Sequence, residues 1–185
     1  CKACQVACKD KHGLAPGVLW RRVVEVAGGG WERRGATWHD ASVTYFVSVS
    51  CMHCERPICV EVCPTKAMTQ GDDGIVFVDT ERCMGCHYCE WACPYGAPQF
   101  DEASGVMTKC DLCRDELVAG RDPACVAACP MRVLTVEYLD EDRRGDGTFP
   151  LPPADLTEPR TAIEPHRDVR RAAEGDPTIG NEEEI

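Results

Sequence analysis

Cys83-Met84-Gly85-Cys86-His87-Tyr88-Cys89-Glu90-Trp91-Ala92-Cys93-Pro94 is the stretch from which the rest of the chain is read. It spells C-x2-C-x2-C-x3-C-P, the spacing that holds a cubane [4Fe–4S] cluster. Three thiolates two residues apart lie on one tight loop and wrap three irons of a single cube. The fourth sits one helical turn further on and points away from that loop. Pro94 fixes φ and has no N–H to donate, so the chain turns rigidly beside the metal.

Three further groups of the same kind fill the chain. Cys51, Cys54, Cys59 and Cys63-Pro64 read C-x2-C-x4-C-x3-C-P, and Cys110, Cys113, Cys125 and Cys129-Pro130 read C-x2-C-x11-C-x3-C-P. Cys1, Cys4 and Cys8 are the last three of a C-x2-C-x2-C-x3-C quartet, so a cysteine three positions upstream of Cys1 is expected to complete it. Fifteen cysteines in 185 residues also fit a disulfide scaffold, but the spacings argue against it. Zinc ribbons use two C-x2-C pairs per metal, without a third close cysteine or the trailing proline.

With aromatic residues at 6%, no large apolar core is available, and the chain forms one domain or two small ones. Cluster binding energy then becomes folding energy, and the metal-free chain is expected to fold poorly. A formal net charge of −11 and a pI near 4.9 exclude nucleic acid and anionic lipid as partners and favour a protein with a basic face. Residues 41–52 are the longest apolar run, too short to span a membrane and patterned as a strand.

Residues 1–13 form the first cluster loop and 14–41 a β insert. In and beside the insert, Trp20 to Val26 and Val43 to Val49 read as strands, with Gly28-Gly29-Gly30 as a turn. The glycines lack the strand–GxGxxG–helix frame of a nucleotide loop. Residues 42–73 and 74–103 read as two cluster modules. Each cluster loop is followed by a hairpin that leads to the next loop: Ala67–Gln70 with Ile75–Val78, then Ala97–Phe100 with Val106–Lys109. Residues 104–140 carry the fourth quartet, a last strand from Val133 to Leu139 and the start of a charged loop. From Pro150 to Ile185 six prolines and nine acids against four arginines leave no apolar periodicity. This tail reads as disordered in isolation, or as an extended arm on a partner subunit.

Four quartets in this order resemble the four-cluster iron–sulfur subunits of the bis-pterin molybdenum oxidoreductases, especially the electron-transfer (beta) subunits of the dimethyl sulfoxide reductase type. The resemblance is carried by CKACQVACKD, SVSCMHCERPICVEVCPTKAM, DGIVFVD, CMGCHYCEWACPYGAPQF, MTKCDLC and CVAACPMRVL, and it continues through WRRVVEVAGGGW and PLPPADLTEPRTAIEP. It implies an α+β fold of tandem ferredoxin-like modules, with short hairpins and helices around four [4Fe–4S] clusters and an extended C-terminal tail. It further implies a prokaryotic subunit of anaerobic respiration that breaks no substrate bond. Such a subunit relays electrons from a menaquinol-oxidising membrane anchor to a molybdopterin catalytic subunit, and is bound to the membrane only through its partners. Formate-dehydrogenase-type relatives carry a C-terminal membrane helix, and nitrate-reductase-type relatives have Trp for one cysteine of the third quartet. Neither feature is present here. The iron–sulfur subunit of a thiosulfate, polysulfide or nitrite reductase or of a hydrogenase, or a free-standing polyferredoxin, uses the same cysteines.

Because each fourth cysteine faces outward, the quartets are expected to exchange it in pairs. Cluster 2 then takes Cys51, Cys54, Cys59 and Cys93, and cluster 3 takes Cys63, Cys83, Cys86 and Cys89. Cluster 4 takes Cys8, Cys110, Cys113 and Cys125. Cluster 1 takes Cys1, Cys4, Cys129 and the upstream cysteine. Residues 1–13 with 104–140 form one half, and 42–103 the other. No catalytic residue is expected. His53 and His87 are read as loop-packing, since their quartets already supply four thiolates, and Trp91 as a shield over a cluster. Lys109 and Arg82, each beside a cysteine, either raise a cluster potential or are solvated cations.

Overall fold

The third and fourth cysteines of every quartet are four residues apart, which is one helical turn, and at each of these places the chain forms a helix. The computed structural model describes residues 1–137, 150–173 and 177–182. Its cysteine-bearing helices are α1 (Ala3–His12), α2 (Ile58–Glu61), α3 (Tyr88–Ala92) and α5 (Ala124–Ala127), with α4 (Arg114–Val118) inserted in the fourth quartet. Cys4, Cys59, Cys89 and Cys125 each lie in the first turn.

Three of these helices are stopped by the same device. After Cys63, Cys93 and Cys129 a proline opens a turn, and the residue three past the cysteine returns its N–H to that cysteine's carbonyl at 3.2–3.3 Å. That residue has positive φ: 54° at Lys66, 58° at Gly96 and 53° at Arg132. The first quartet has Lys9 where the others have proline, and α1 runs on to His12 before Gly13 ends it at φ 57°.

The two hairpins between quartets form as expected: β5 (Met68–Gln70) pairs with β6 (Val76–Val78), and β7 (Gln99–Asp101) with β8 (Val106–Thr108). In the insert, β1 (Arg22–Gly28) pairs antiparallel with β4 (Val43–Val49) in full register, from Arg22 opposite Val49 to Gly28 opposite Val43. Val43, Tyr45, Val47 and Val49 alternate inward and join Val24, Val26, Met52 and Tyr95 in the main apolar core.

Three expectations change. The triple glycine does not connect β1 to β4 directly. An extra hairpin, β2 (Trp31–Arg34) with β3 (Thr37–Asp40), stands between them with every residue exposed. Its charged residues carry no apolar alternation, so no strand pattern was available to read. Residues 133–137 are irregular rather than strand, and the remainder of that expected strand, with the charged loop from Asp140, lies outside the described residues.

The tail is not free: where described, it packs on the body. Glu55 and Arg56 donate their backbone N–H to the carbonyls of Glu158 and Thr157 at 2.8 and 3.1 Å, and the Arg160 N–H donates to the Met52 carbonyl at 3.1 Å. Further on, α6 (Val169–Ala173) buries Ala172 against Gly28, where an added Cβ would meet the Ala172 backbone at 2.9 Å. Then β9 (Thr178–Ile179) pairs with β1. Prolines set an extended path here, and neighbouring backbone rather than apolar periodicity holds it.

Candidate iron–sulfur sites

Cys63, Cys83, Cys86 and Cys89 line one hollow walled by Met68, Met84 and Met107. The first is the fourth cysteine of the second quartet, and the other three belong to the third. Burial first, then the charges of Cys63, Cys83 and Cys86, push the Cys89 thiol up to about 11. The Met68 N–H faces the Cys63 sulfur and the Met107 N–H the Cys83 sulfur, both at 3.4 Å.

Next door, Cys93 of the third quartet packs against the buried cluster that holds Cys51 of the second. Cys59 is pushed up to about 12 by burial, then by Cys51, Cys93 and Cys54. Cys93 thus faces the second-quartet loop. At the third location Cys8 is pushed up to about 12 by burial, then by Cys125 and Cys113. Helix α1 packs on α5 there, and Cys4 joins Cys125 in one buried cluster. Cys1 is exposed, and the Cys4 sulfur lies 3.4 Å from the Ser48 hydroxyl.

Each proline turn also aims amides back at its own cysteine. At Cys63, burial raises the thiol, but the N–H groups of Met68, Ala67 and Thr65 and the Thr65 hydroxyl outweigh it and hold it below the ordinary value. Val133 leads the corresponding amides at Cys129, which is held low as well. At Cys93, Ala97 and Tyr95 do the same, although burial prevails and the thiol stays raised.

This donor set fits an iron–sulfur cluster. Buried sulfurs that raise one another's pKa are costly as thiolates, and cationic iron in their midst reverses the sign of that interaction. All fifteen thiols are free, so no disulfide framework is present. A four-thiolate zinc site would bring its sulfurs to about 3.8 Å from one another. Among the described residues, one group of three ligand atoms lies within 4.8 Å, and it is mixed: His12, Asp111 and Cys113.

The other singled-out residues divide. His53 is buried and accepts the Val76 N–H on Nδ1 at 3.0 Å, while burial, then Lys109, Arg160 and Arg21, lower it to about 3. It is neutral. His87 caps α3 at φ 64° and contacts Glu90 at 2.6 Å. Trp91 does not shield a cluster, being 74% exposed. It lies two residues past buried Cys89, about 200° around the helix, and so faces away. Arg82 is exposed and bonded to the Thr65 carbonyl at 3.0 Å, whereas Lys109 is buried.

Two contributors carried no spacing signal. Thr157, from the tail, places its hydroxyl against Cys54, where burial raises the thiol and this hydrogen bond opposes the rise. Its oxygen also lies 3.2 Å from the Tyr95 hydroxyl. Arg22, inside the expected strand, is partly buried beside Cys93, and its guanidinium donates to the Tyr95 carbonyl at 2.6 Å. Charged residues at strand starts are common, and only the pairing of β1 with β4 brings this one to the site.

A thiol-lined hollow and clustered buried cysteines on short helices, joined by hairpins, define an iron–sulfur protein of ferredoxin type. The protein belongs to the 4Fe-4S dicluster domain family, whose model matches residues 42–139, and to the family of dimethyl sulfoxide reductase iron–sulfur subunits. It is 44% identical over 189 residues to the B subunit of the anaerobic dimethyl sulfoxide reductase of Escherichia coli, covering 100% of this protein and 92% of that one. The corresponding B subunit of Haemophilus influenzae is 43% identical, with 100% and 93% covered. The thiosulfate reductase electron transfer subunit PhsB of Salmonella typhi is 42% identical over 76% of this protein and 71% of its own length. No helix of the described residues is long and apolar enough to cross a membrane.

Proposed function

We propose that the chain is the electron-transfer subunit of a dimethyl sulfoxide reductase-type complex of anaerobic respiration. It links a quinol-oxidising membrane anchor to a molybdopterin catalytic subunit and performs no substrate chemistry itself. One observation carries this reading: Cys63 shares a hollow with Cys83, Cys86 and Cys89, so the quartets interlock rather than standing as separate metal sites.

Bound cubanes supply one-electron storage. The residues of the chain supply the rest. Cys63, Cys83, Cys86 and Cys89 hold one cluster, and Cys51, Cys54, Cys59 and Cys93 its neighbour. Cys8, Cys110, Cys113 and Cys125 hold a third, and Cys1, Cys4 and Cys129 a fourth with a cysteine upstream of Cys1. Residues 42–103 form one half and 1–13 with 104–140 the other. Met68 and Met107 keep water from the hollow, and backbone amides stabilise the added negative charge. The dimethyl sulfoxide reductase B subunits of Escherichia coli and Haemophilus influenzae match this protein over its whole length, tail included, at 43–44% identity, which supports that substrate class.

The test is purification of the full-length subunit with its neighbours. About 16 iron and 16 labile sulfide atoms per chain are expected, together with a molybdenum subunit that reduces dimethyl sulfoxide when a menaquinol analogue is supplied. Stoichiometric zinc without sulfide overturns the electron-transfer reading. An iron-loaded chain that brings down no molybdenum subunit points instead to a free polyferredoxin.

A further inference from the structure

Among the described residues, Lys109 is the one lysine or arginine that is buried, with 3% of its surface exposed. Its ammonium donates to the carbonyl oxygens of Val76 and of Cys110, the latter at 2.5 Å. No carboxylate among the described residues pairs with it. Two carbonyl dipoles are not a counter-ion, and a buried charge without one is strongly disfavoured. The missing negative charge has to come from what the neighbouring sulfurs hold.

Those sulfurs belong to two different ligand sets. The ammonium reaches the fourth quartet through the Cys110 carbonyl and the second through Val76, which packs in one buried cluster with Cys59 and donates its N–H to His53 of the second-quartet loop. Cys51 and Cys110 sit in one buried cluster with Ala97, flanked by Cys93 and Trp20, so the two sets adjoin where Lys109 stands. Arg22 is one-sided by comparison, acting on Cys93.

We propose that Lys109 is a shared counter-charge, stabilising the reduced state of both the cluster held by Cys51, Cys54, Cys59 and Cys93 and the cluster held by Cys8, Cys110, Cys113 and Cys125. This rests on the ligand sets proposed above. It makes Lys109 a positioning residue for charge at the step between the two halves. A cation facing one site alone would trap an electron there. Facing both, Lys109 presents similar positive charge before and after transfer. One site loses one electron, the other gains it, and no proton moves.

The experiment uses the full-length subunit in its complex, comparing Lys109→Met with the parent. Iron content and the number of reduced-state EPR signals come first, and fewer than four clusters in the parent defeats the ligand reading, not this one. Redox titration followed by EPR then reads the potentials. Two of the four midpoints are expected to fall, each by at least a tenfold change in the reduced-to-oxidised ratio, or about 59 mV for a one-electron couple. Lys109→Arg is expected to keep both near the parent values, and Arg22→Gln to move one. If Lys109→Met loses iron, Lys109→Gln is titrated instead. Movement of one midpoint or of none overturns the proposal, as does loss of iron in both variants, which would make Lys109 a folding residue only.

Discussion

A cysteine's place in a motif does not say which metal it serves, and Cys63 shows why. It closes the second quartet in sequence, yet its sulfur lines the hollow of the third, because one helical turn carries it past its own loop. Cys63→Ser is therefore expected to alter the EPR signal of the third-quartet cluster and spare that of the second; the reverse pattern would break the exchange. Backbone strain is equally local. Gly29 has φ 72°, and a Cβ there would meet the Ala41 carbonyl oxygen at 2.3 Å. Gly29→Ala is expected to destabilise the protein by about 1–3 kcal/mol, read as a lower denaturant midpoint with iron content unchanged. At this scale the cysteines were legible because metal geometry demands fixed spacing. Trp91 was misread because being apolar does not tell which side of a short helix a residue faces, and Thr157 is brought to Cys54 only by the folded path of the tail.

The second and third quartets repeat one plan, a loop, a short helix, a proline turn and a hairpin, and the repeat was readable wherever cysteine or proline marked it. The hairpin β2–β3 and the tail carry neither cysteines nor apolar alternation. Their order comes from backbone pairing, which leaves little trace in side-chain type. The tail was expected to concern partners only, but beyond its pairing with β1 it contacts residues 52–56, inside the second-quartet loop, through residues 157–160. Deleting residues 150–185 is accordingly expected to remove about four iron atoms per chain and the second-quartet EPR signal, leaving the others. Full iron content with failed copurification would return the tail to a purely assembly role. Thr157→Val is the milder version, expected to shift that one signal without loss of iron.

At the scale of the molecule, the apolar cores among the described residues are small; cysteines are buried members of three of the four and pack against the other. Sidewise cohesion comes from the insert sheet, to which β9 adds a third strand. Stripping iron with a chelator is expected to remove most helical circular dichroism, since α2, α3 and α5 are too short to persist alone. Retained helicity would mean that apolar packing suffices. The net charge of −11 agrees with a chain that docks on basic protein surfaces, and weaker copurification at high salt would check this. The strap across the second loop also has a bearing on when that loop can be filled. Asp155 supplies the carbonyl that receives the Arg56 guanidinium from 99 positions later in the chain. At about 5–20 residues per second of synthesis, the loop emerges from the ribosome several seconds before its cover does. Nascent chains are therefore expected to pass through an interval in which the second-quartet loop stands open to incoming iron and sulfide, before residues 155–160 reach it.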